Sequence, residues 1–312
     1  MKLIGAEEVN KALTWPALVE AMRAAHRLAE PAVKDMHLAS GTGNLLVRSA
    51  WFPGRMLGVK AVTVFADNPR ATPPRPAVQG SFILFDGDSG APVAVIDGAA
   101  ITAWKTAADS ALGADLLARQ DARVLLMIGA GAMAEPLIRA HLSVRPYSTV
   151  LVWNRSREGA EALAGRLATL PAEVKVCSDL RAAMAQADVI SSATMAQTPF
   201  IPGDALPEGC HLDLVGAYRP DMREADDTAL QRSRLFVDCR DTTVAEIGEL
   251  LIPIRNGLIT AGDVAGDLFD LVAGRAGRGA DTEITLYKNG GGAHLDLITA
   301  QLIYDLLDRV SG

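Results

Sequence analysis

Lys60, Lys105, Arg48 and His37 are the cationic side chains in this sequence that could do binding chemistry, each with a plainer alternative. Lys60 lies inside an otherwise apolar run, Met56-Leu-Gly-Val-Lys-Ala-Val-Thr-Val-Phe65. A charge there is costly unless it is paired or faces a cavity; an edge-strand lysine that blunts aggregation is the plainer alternative. Lys105 sits in Thr102-Ala-Trp-Lys-Thr106 on a helical stretch, where a solvated lysine is the ordinary case. Arg48 and His37 could each anchor a carboxylate or sit at the surface. His294 follows the run Asn289-Gly-Gly-Gly292, whose missing side chains permit close approach of backbone to a ligand or partner.

A second constellation points to a dinucleotide. Arg123-Val-Leu-Leu-Met-Ile-Gly-Ala-Gly-Ala-Met-Ala134 is an apolar strand pattern entering a glycine turn, and a helical pattern (135 to 142) leaves it. Gly129 would permit the tight turn and Gly131 would let the backbone approach a pyrophosphate, with Ala132 and Met133 completing the loop. Ala134 would let helix and strand pack closely, and the helix N-terminus would face the phosphates. A second apolar run, 148 to 153, follows at the right distance and ends in Asn154-Arg155-Ser156-Arg157. NAD sites usually place an acid there for the ribose hydroxyls. Asn154 is uncharged, and Arg155 and Ser156 could meet a 2′-phosphate, so NADPH is the expected cofactor and NADH or NAD the alternative. A solvated turn with Ser156 as a helix cap is the competing reading.

Composition bounds the rest. The 312 residues are enough for two domains with buried cores. Thirty basic against 37 acidic side chains give a net charge of −7, with no basic block. Neither a nucleic-acid surface nor a membrane surface is indicated, and no long apolar stretch suggests a signal peptide or span. Cys177, Cys210 and Cys239 are scattered in no metal-ligand spacing and read as reduced thiols of a cytoplasmic protein. No His-x-x-x-His, Cys-x-x-Cys or Gly-x-Ser-x-Gly occurs, so no metal site or serine nucleophile is expected.

The elements that would carry these residues fall into two groups. Residues 7 to 28 have helical spacing, with Thr14-Trp15-Pro16 resembling a helix start. Strand-like runs follow at 44 to 51, 56 to 65, 80 to 85 and 91 to 97, a succession that suggests an antiparallel or mixed sheet. A long helix, 100 to 119, leads into the glycine-loop strand. Beyond it strands at 149 to 153, 173 to 177, 189 to 193, 211 to 215 and 235 to 238 alternate with helical stretches at 157 to 167 and 181 to 186. That alternation predicts an α/β, Rossmann doubly wound sheet beside a smaller α+β domain. The last helical pattern is 293 to 310, and 274 to 279 is the most loop-like segment.

Taken together, Gly58-Val-Lys-Ala-Val-Thr63, Gln79-Gly80, Leu84-Phe-Asp-Gly-Asp-Ser-Gly90, Asp97-Gly98 and Ile101-Thr-Ala-Trp-Lys-Thr-Ala-Ala108 resemble the ornithine cyclodeaminase/mu-crystallin family. Ile128-Gly-Ala-Gly131, Val215-Gly-Ala-Tyr-Arg-Pro-Asp-Met-Arg-Glu224 and Leu286-Tyr-Lys-Asn-Gly290 extend the resemblance over essentially the whole chain. It implies a homodimer and a substrate and dimerisation domain (1 to 118 with 292 to 312) beside a dinucleotide-binding domain (119 to 291). By the same resemblance Lys60 contacts substrate, Lys105 replaces a family arginine, and Arg48 substitutes for an upstream arginine aligned near His37. Ornithine cyclodeaminases carry an aspartate where Tyr218 stands, to hold the substrate δ-amine; Asp221 and Glu224 are the nearby acids. Without that acid, the expected reaction is NADPH-dependent reduction of a cyclic ketimine, Δ1-pyrroline-2-carboxylate or its six-membered homologue. Ornithine cyclodeamination with recycled NAD is the alternative, and a non-catalytic crystallin-like NADPH-binding protein a third.

Overall fold

The computed structural model describes residues 1–311 apart from Thr42 and Ala66; Gly312, the end of the expected first domain, lies outside the described residues. The chain forms two compact units, Met1–Lys105 with the chain from Gly291 on, and Thr106–Gly290.

In the first unit β1 (Lys2–Ile4), α1 (Ala6–Ala12) and α2 (Trp15–Ala25) precede a run of long strands. These are β2 (Ala32–Ser40), β3 (Gly43–Phe52), β4 (Met56–Val64), β5 (Val78–Asp86) and β6 (Pro92–Asp97). They make a mixed six-stranded sheet in the order β1-β6-β5-β4-β3-β2, antiparallel except for the β1–β6 pair. The helix expected over 7 to 28 is broken. Leu13 and Thr14 are extended, and Pro16 opens α2, where its missing N–H costs nothing. α3 (Gly98–Leu117) starts two residues earlier than expected because the Asp97 carboxylate accepts the Ala100 N–H at 2.8 Å. The unit boundary falls within it.

The second unit begins with β7 (Val124–Ile128), α4 (Ala134–Val144), β8 (Thr149–Trp153), α5 (Arg157–Arg166), β9 (Glu173–Cys177), α6 (Leu180–Met184) and β10 (Val189–Ser192). It continues with β11 (His211–Leu214), α7 (Asp227–Arg232), β12 (Ser233–Val237), α8 (Arg240–Thr243), α9 (Gly248–Arg255), β13 (Val264–Gly266), α10 (Leu268–Val272) and β14 (Ile284–Lys288). The eight strands are all parallel, in the order β13-β12-β14-β11-β10-β7-β8-β9. Strand order reverses between β7 and β10, the switch point of a Rossmann sheet. Residues 125–128 of β7 and all of β10, β11 and β14 are buried, as central parallel strands must be. β14, absent from the expected strands, lies between β11 and β12.

α11 (Ala293–Ser311) then returns to the first unit and packs on one face of its sheet. Among the described residues no helix is long and apolar enough to cross a membrane.

Candidate functional site

In the first unit the strand register brings the expected cations together. Arg48 of β3 stands directly opposite Lys60 of β4, so both face the side of the sheet that α11 covers. Lys60 Nζ donates to Thr102 Oγ1 at 2.9 Å and to Asp296 Oδ1 of α11 at 2.9 Å. Lys105 lies three residues beyond Thr102, on the same face of α3; its Nζ is 3.7 Å from the same Asp296 oxygen and donates to the Gly291 carbonyl. Arg48 donates to Asp35 Oδ2 from Nε at 2.9 Å and Nη2 at 2.8 Å, and from Nη1 to the Gly291 carbonyl. Lys60, Lys105 and Asp296 are 4%, 2% and 0% exposed.

Two features keep Asp296 ionised and the cluster tight. Burial opposes charge on Asp296, but Lys105, Lys60 and Arg48 outweigh it and hold its carboxyl below the usual range. Gly291 has φ +72°, and a Cβ there would meet Lys105 Nζ at 2.7 Å, so only glycine presents its carbonyl to both cations. Beside them His294 Nε2 lies 3.2 Å from His26 Nε2. Burial first, then the charges of His26, Lys105 and Arg48, drives the His294 pKa well down, leaving a neutral imidazole. Three cations against Asp296 and Asp35 leave one net positive charge among these groups.

The second unit carries the glycine turn. Gly129 follows β7 with φ +103°, and a Cβ there would press on the Ala193 carbonyl at 2.8 Å. A Cβ on Gly131 would meet nothing within 4 Å, so the loop faces open space at that point. No side chain caps the first turn of α4 at Met133, which leaves its N–H groups for an anion. These residues fit a dinucleotide pyrophosphate. At the end of β8 Asn154 Nδ2 donates to the Ser156 carbonyl at 2.9 Å. Ser156 Oγ accepts the Gly159 N–H and donates to Glu158, so the helix-cap reading is realised. Arg157 pairs with Glu161, and Arg155 is exposed.

Next to the switch point a buried carboxylate clasps two strand ends. Glu224 accepts Ser192 Oγ (2.6 Å), Thr194 N (2.8 Å), Thr194 Oγ1 (2.7 Å) and Gly216 N (2.6 Å). Glu249 accepts the N–H groups of Glu224 and Ala225. Tyr218, in contrast, is exposed, and Asp221 is held by Arg219 and Gln197. Glu224 is therefore spent on these hydroxyl and backbone donors, and Asp221 is paired at the surface.

A parallel sheet with a glycine turn at its switch point defines a Rossmann-type dinucleotide-fold protein. The chain belongs to the ornithine cyclodeaminase/mu-crystallin family, whose model matches residues 4–310. It is 48% identical over 293 residues to the Δ1-pyrroline-2-carboxylate reductase of Paracoccus denitrificans, covering 93% of this chain and 92% of the relative. It is 36% identical over 230 residues to the ketimine reductase mu-crystallin of Mus musculus, covering 74% and 70%. The Thermococcus litoralis Δ1-pyrroline-2-carboxylate reductase, solved with NADH and L-proline, superposes with a TM-score of 0.93 at 30% identity, covering 100% of this chain and 98% of that one.

Of the expected residues, Lys60, Lys105 and Arg48 converge, and Gly129, Gly131, Ala132 and Met133 form one loop ahead of α4. His37 is exposed on β2, in register with Leu46. Sequence reasoning missed Asp296, Asp35 and the Gly291 carbonyl. Asp296 standing between Leu295 and Leu297 near the start of the 293 to 310 pattern was the available signal, by the rule applied to Lys60.

Proposed function

We propose that the protein reduces cyclic α-imino acids of the Δ1-pyrroline-2-carboxylate type to the corresponding cyclic amino acids. The reading is carried by the buried Lys60–Lys105–Arg48 cluster with its single surplus positive charge, in a chain 48% identical to a reductase of that name. Lys60, Lys105 and Arg48 hold the substrate carboxylate by charge-assisted hydrogen bonds and so orient the C=N group. Tyr218 supplies no anion for a substrate amine, which favours a preformed ketimine over ornithine. Gly129, Gly131, Ala132 and Met133 cradle the pyrophosphate, and Asn154, Arg155 and Ser156 lie on the adenosine ribose side. When bound, the reduced dinucleotide, NADPH in preference to NADH, supplies the hydride.

The first unit is read as the substrate and dimerisation domain and the second as the dinucleotide domain. The apolar sheet face opposite α11 supports a homodimer. The free thiols at Cys177, Cys210 and Cys239 support a reducing, cytoplasmic setting. The deciding experiment follows NADPH and NADH oxidation with Δ1-pyrroline-2-carboxylate and its six-membered homologue, alongside ammonia release from ornithine with NAD. Ketimine-dependent oxidation without ammonia is expected. Catalytic ammonia and proline from ornithine would overturn the reading in favour of a cyclodeaminase, and tight NADPH binding with no turnover would leave a binding protein.

A further inference from the structure

Asp296 is fully buried on α11, where it offsets the buried Lys60 and Lys105 charges, but stability alone would be served as well by apolar groups in all three places. A buried ion pair gains little over well-packed apolar groups of the same volume, because desolvation offsets the attraction. Its two oxygens are also used unequally. Oδ1 takes Lys60 Nζ and faces Lys105 Nζ, while Oδ2 is buried with no hydrogen-bond partner among the described residues. An optimised structural clamp would satisfy both. The lysines are built around the shared oxygen instead. Thr102, itself donating to the Gly98 carbonyl, fixes Lys60 from the α3 side. Two of the three Lys60 donors are thereby occupied by protein among the described residues.

We propose that Asp296 is the positioning residue of the carboxylate-binding cations, seating Lys60 and Lys105 on one oxygen and trimming the cluster to one net positive charge, the complement of a single substrate carboxylate. The proposal rests on the reading of the site given above. Without Asp296, Asp35 is the carboxylate that remains among these groups, beside two ammonium groups and a guanidinium. They then relax apart or shed charge, and the carboxylate loses its fixed seat.

The test compares Asp296→Asn, which keeps shape and loses charge, with Asp296→Glu, which keeps charge and moves it. For Asp296→Asn, kcat/KM for Δ1-pyrroline-2-carboxylate should fall by about 10- to 100-fold, mostly through KM, as expected for loss of a charged hydrogen-bond partner. KM for the dinucleotide should stay within about twofold, since the variant touches only uniform binding of the imino acid. Asp296→Glu should recover part of the loss, and it carries the same readouts if the neutral variant does not fold. Independently of activity, NMR of [13Cε]lysine-labelled protein, with resonances assigned through Lys60→Arg and Lys105→Arg, should show both lysine signals displaced in Asp296→Asn. Unmoved lysine signals with wild-type KM would overturn the proposal. So would equal losses for imino acid and dinucleotide with a lowered Tm, the mark of a mere tether for α11. A wild-type protein with no ketimine turnover would sink the proposed function instead, and the lysine signals would still decide the role of Asp296.

Discussion

Asn154 has little freedom at the end of β8. Its amide nitrogen is committed to the Ser156 carbonyl, and a Cβ on Gly159 would come within 2.7 Å of that nitrogen. The amide oxygen is the atom left to accept a hydrogen bond, and it is uncharged. Arg155 supplies the nearby cation, whereas Arg157 is occupied by Glu161 and Glu158 places an anion beside Ser156. On the reading proposed above, this balance suits a 2′-phosphate only while position 154 is neutral. We expect wild-type protein to prefer NADPH over NADH in kcat/KM, and Asn154→Asp to cut the NADPH value by about 10- to 100-fold. A wild-type preference for NADH would reverse the assignment. At this scale the sequence showed charges but not their partners. Lys60 stood out because it interrupts an apolar strand, while its counter-ion lies 236 positions away, and no local pattern reaches that far.

The elements behave according to how local their causes are. The strand, glycine turn and helix at 124 to 144 were legible because each depends on neighbours in sequence: buried runs, a positive φ at Gly129, a helical repeat. β2 and β14 were not. β2 sets Lys34, Asp35 and His37 among apolar residues at a sheet edge without a clean alternation, and β14 is a five-residue run whose Lys288 is buried and bonded to the Leu214 and Asn289 carbonyls. Only the assembled sheet satisfies it. The clasp between strand ends is equally non-local and makes a pH prediction. Burial, then the charge of Glu224, raises the Glu249 carboxyl from 4.5 to about 7. The folded chain therefore holds a proton that the unfolded chain releases, and this group's contribution to stability is lost as pH rises from about 4.5 to about 7. The urea midpoint should drop less between about pH 5 and about pH 8 in Glu249→Gln than in wild type. Equal drops would remove Glu249 as the source.

For the molecule as a whole, the first unit's sheet has two unlike faces. One is covered by α11. The other presents Met36, Leu38, Val47, Trp51, Val59 and Ile83 on four adjacent strands, with Trp51 47% and Leu38 53% exposed. An apolar face of this kind, on strands this long, suits a standard interface of roughly 800 Å² per partner. Light scattering after size exclusion should give twice the chain mass, and Trp51→Glu should give the single chain mass with the fold intact. A wild-type monomer at micromolar concentration would remove the dimer. The return of α11 to the first unit has another consequence, in time rather than space. Domains fold as units while a chain is made, the earlier ones first. Here the order is inverted: the contiguous unit from Thr106 to Gly290 is complete before Asp296 has been synthesised. The older half must wait, its strands made but its lysines unmatched, until α11 emerges. A nascent chain released too soon would therefore carry a finished second unit and a first-unit sheet still bare on the face that α11 covers.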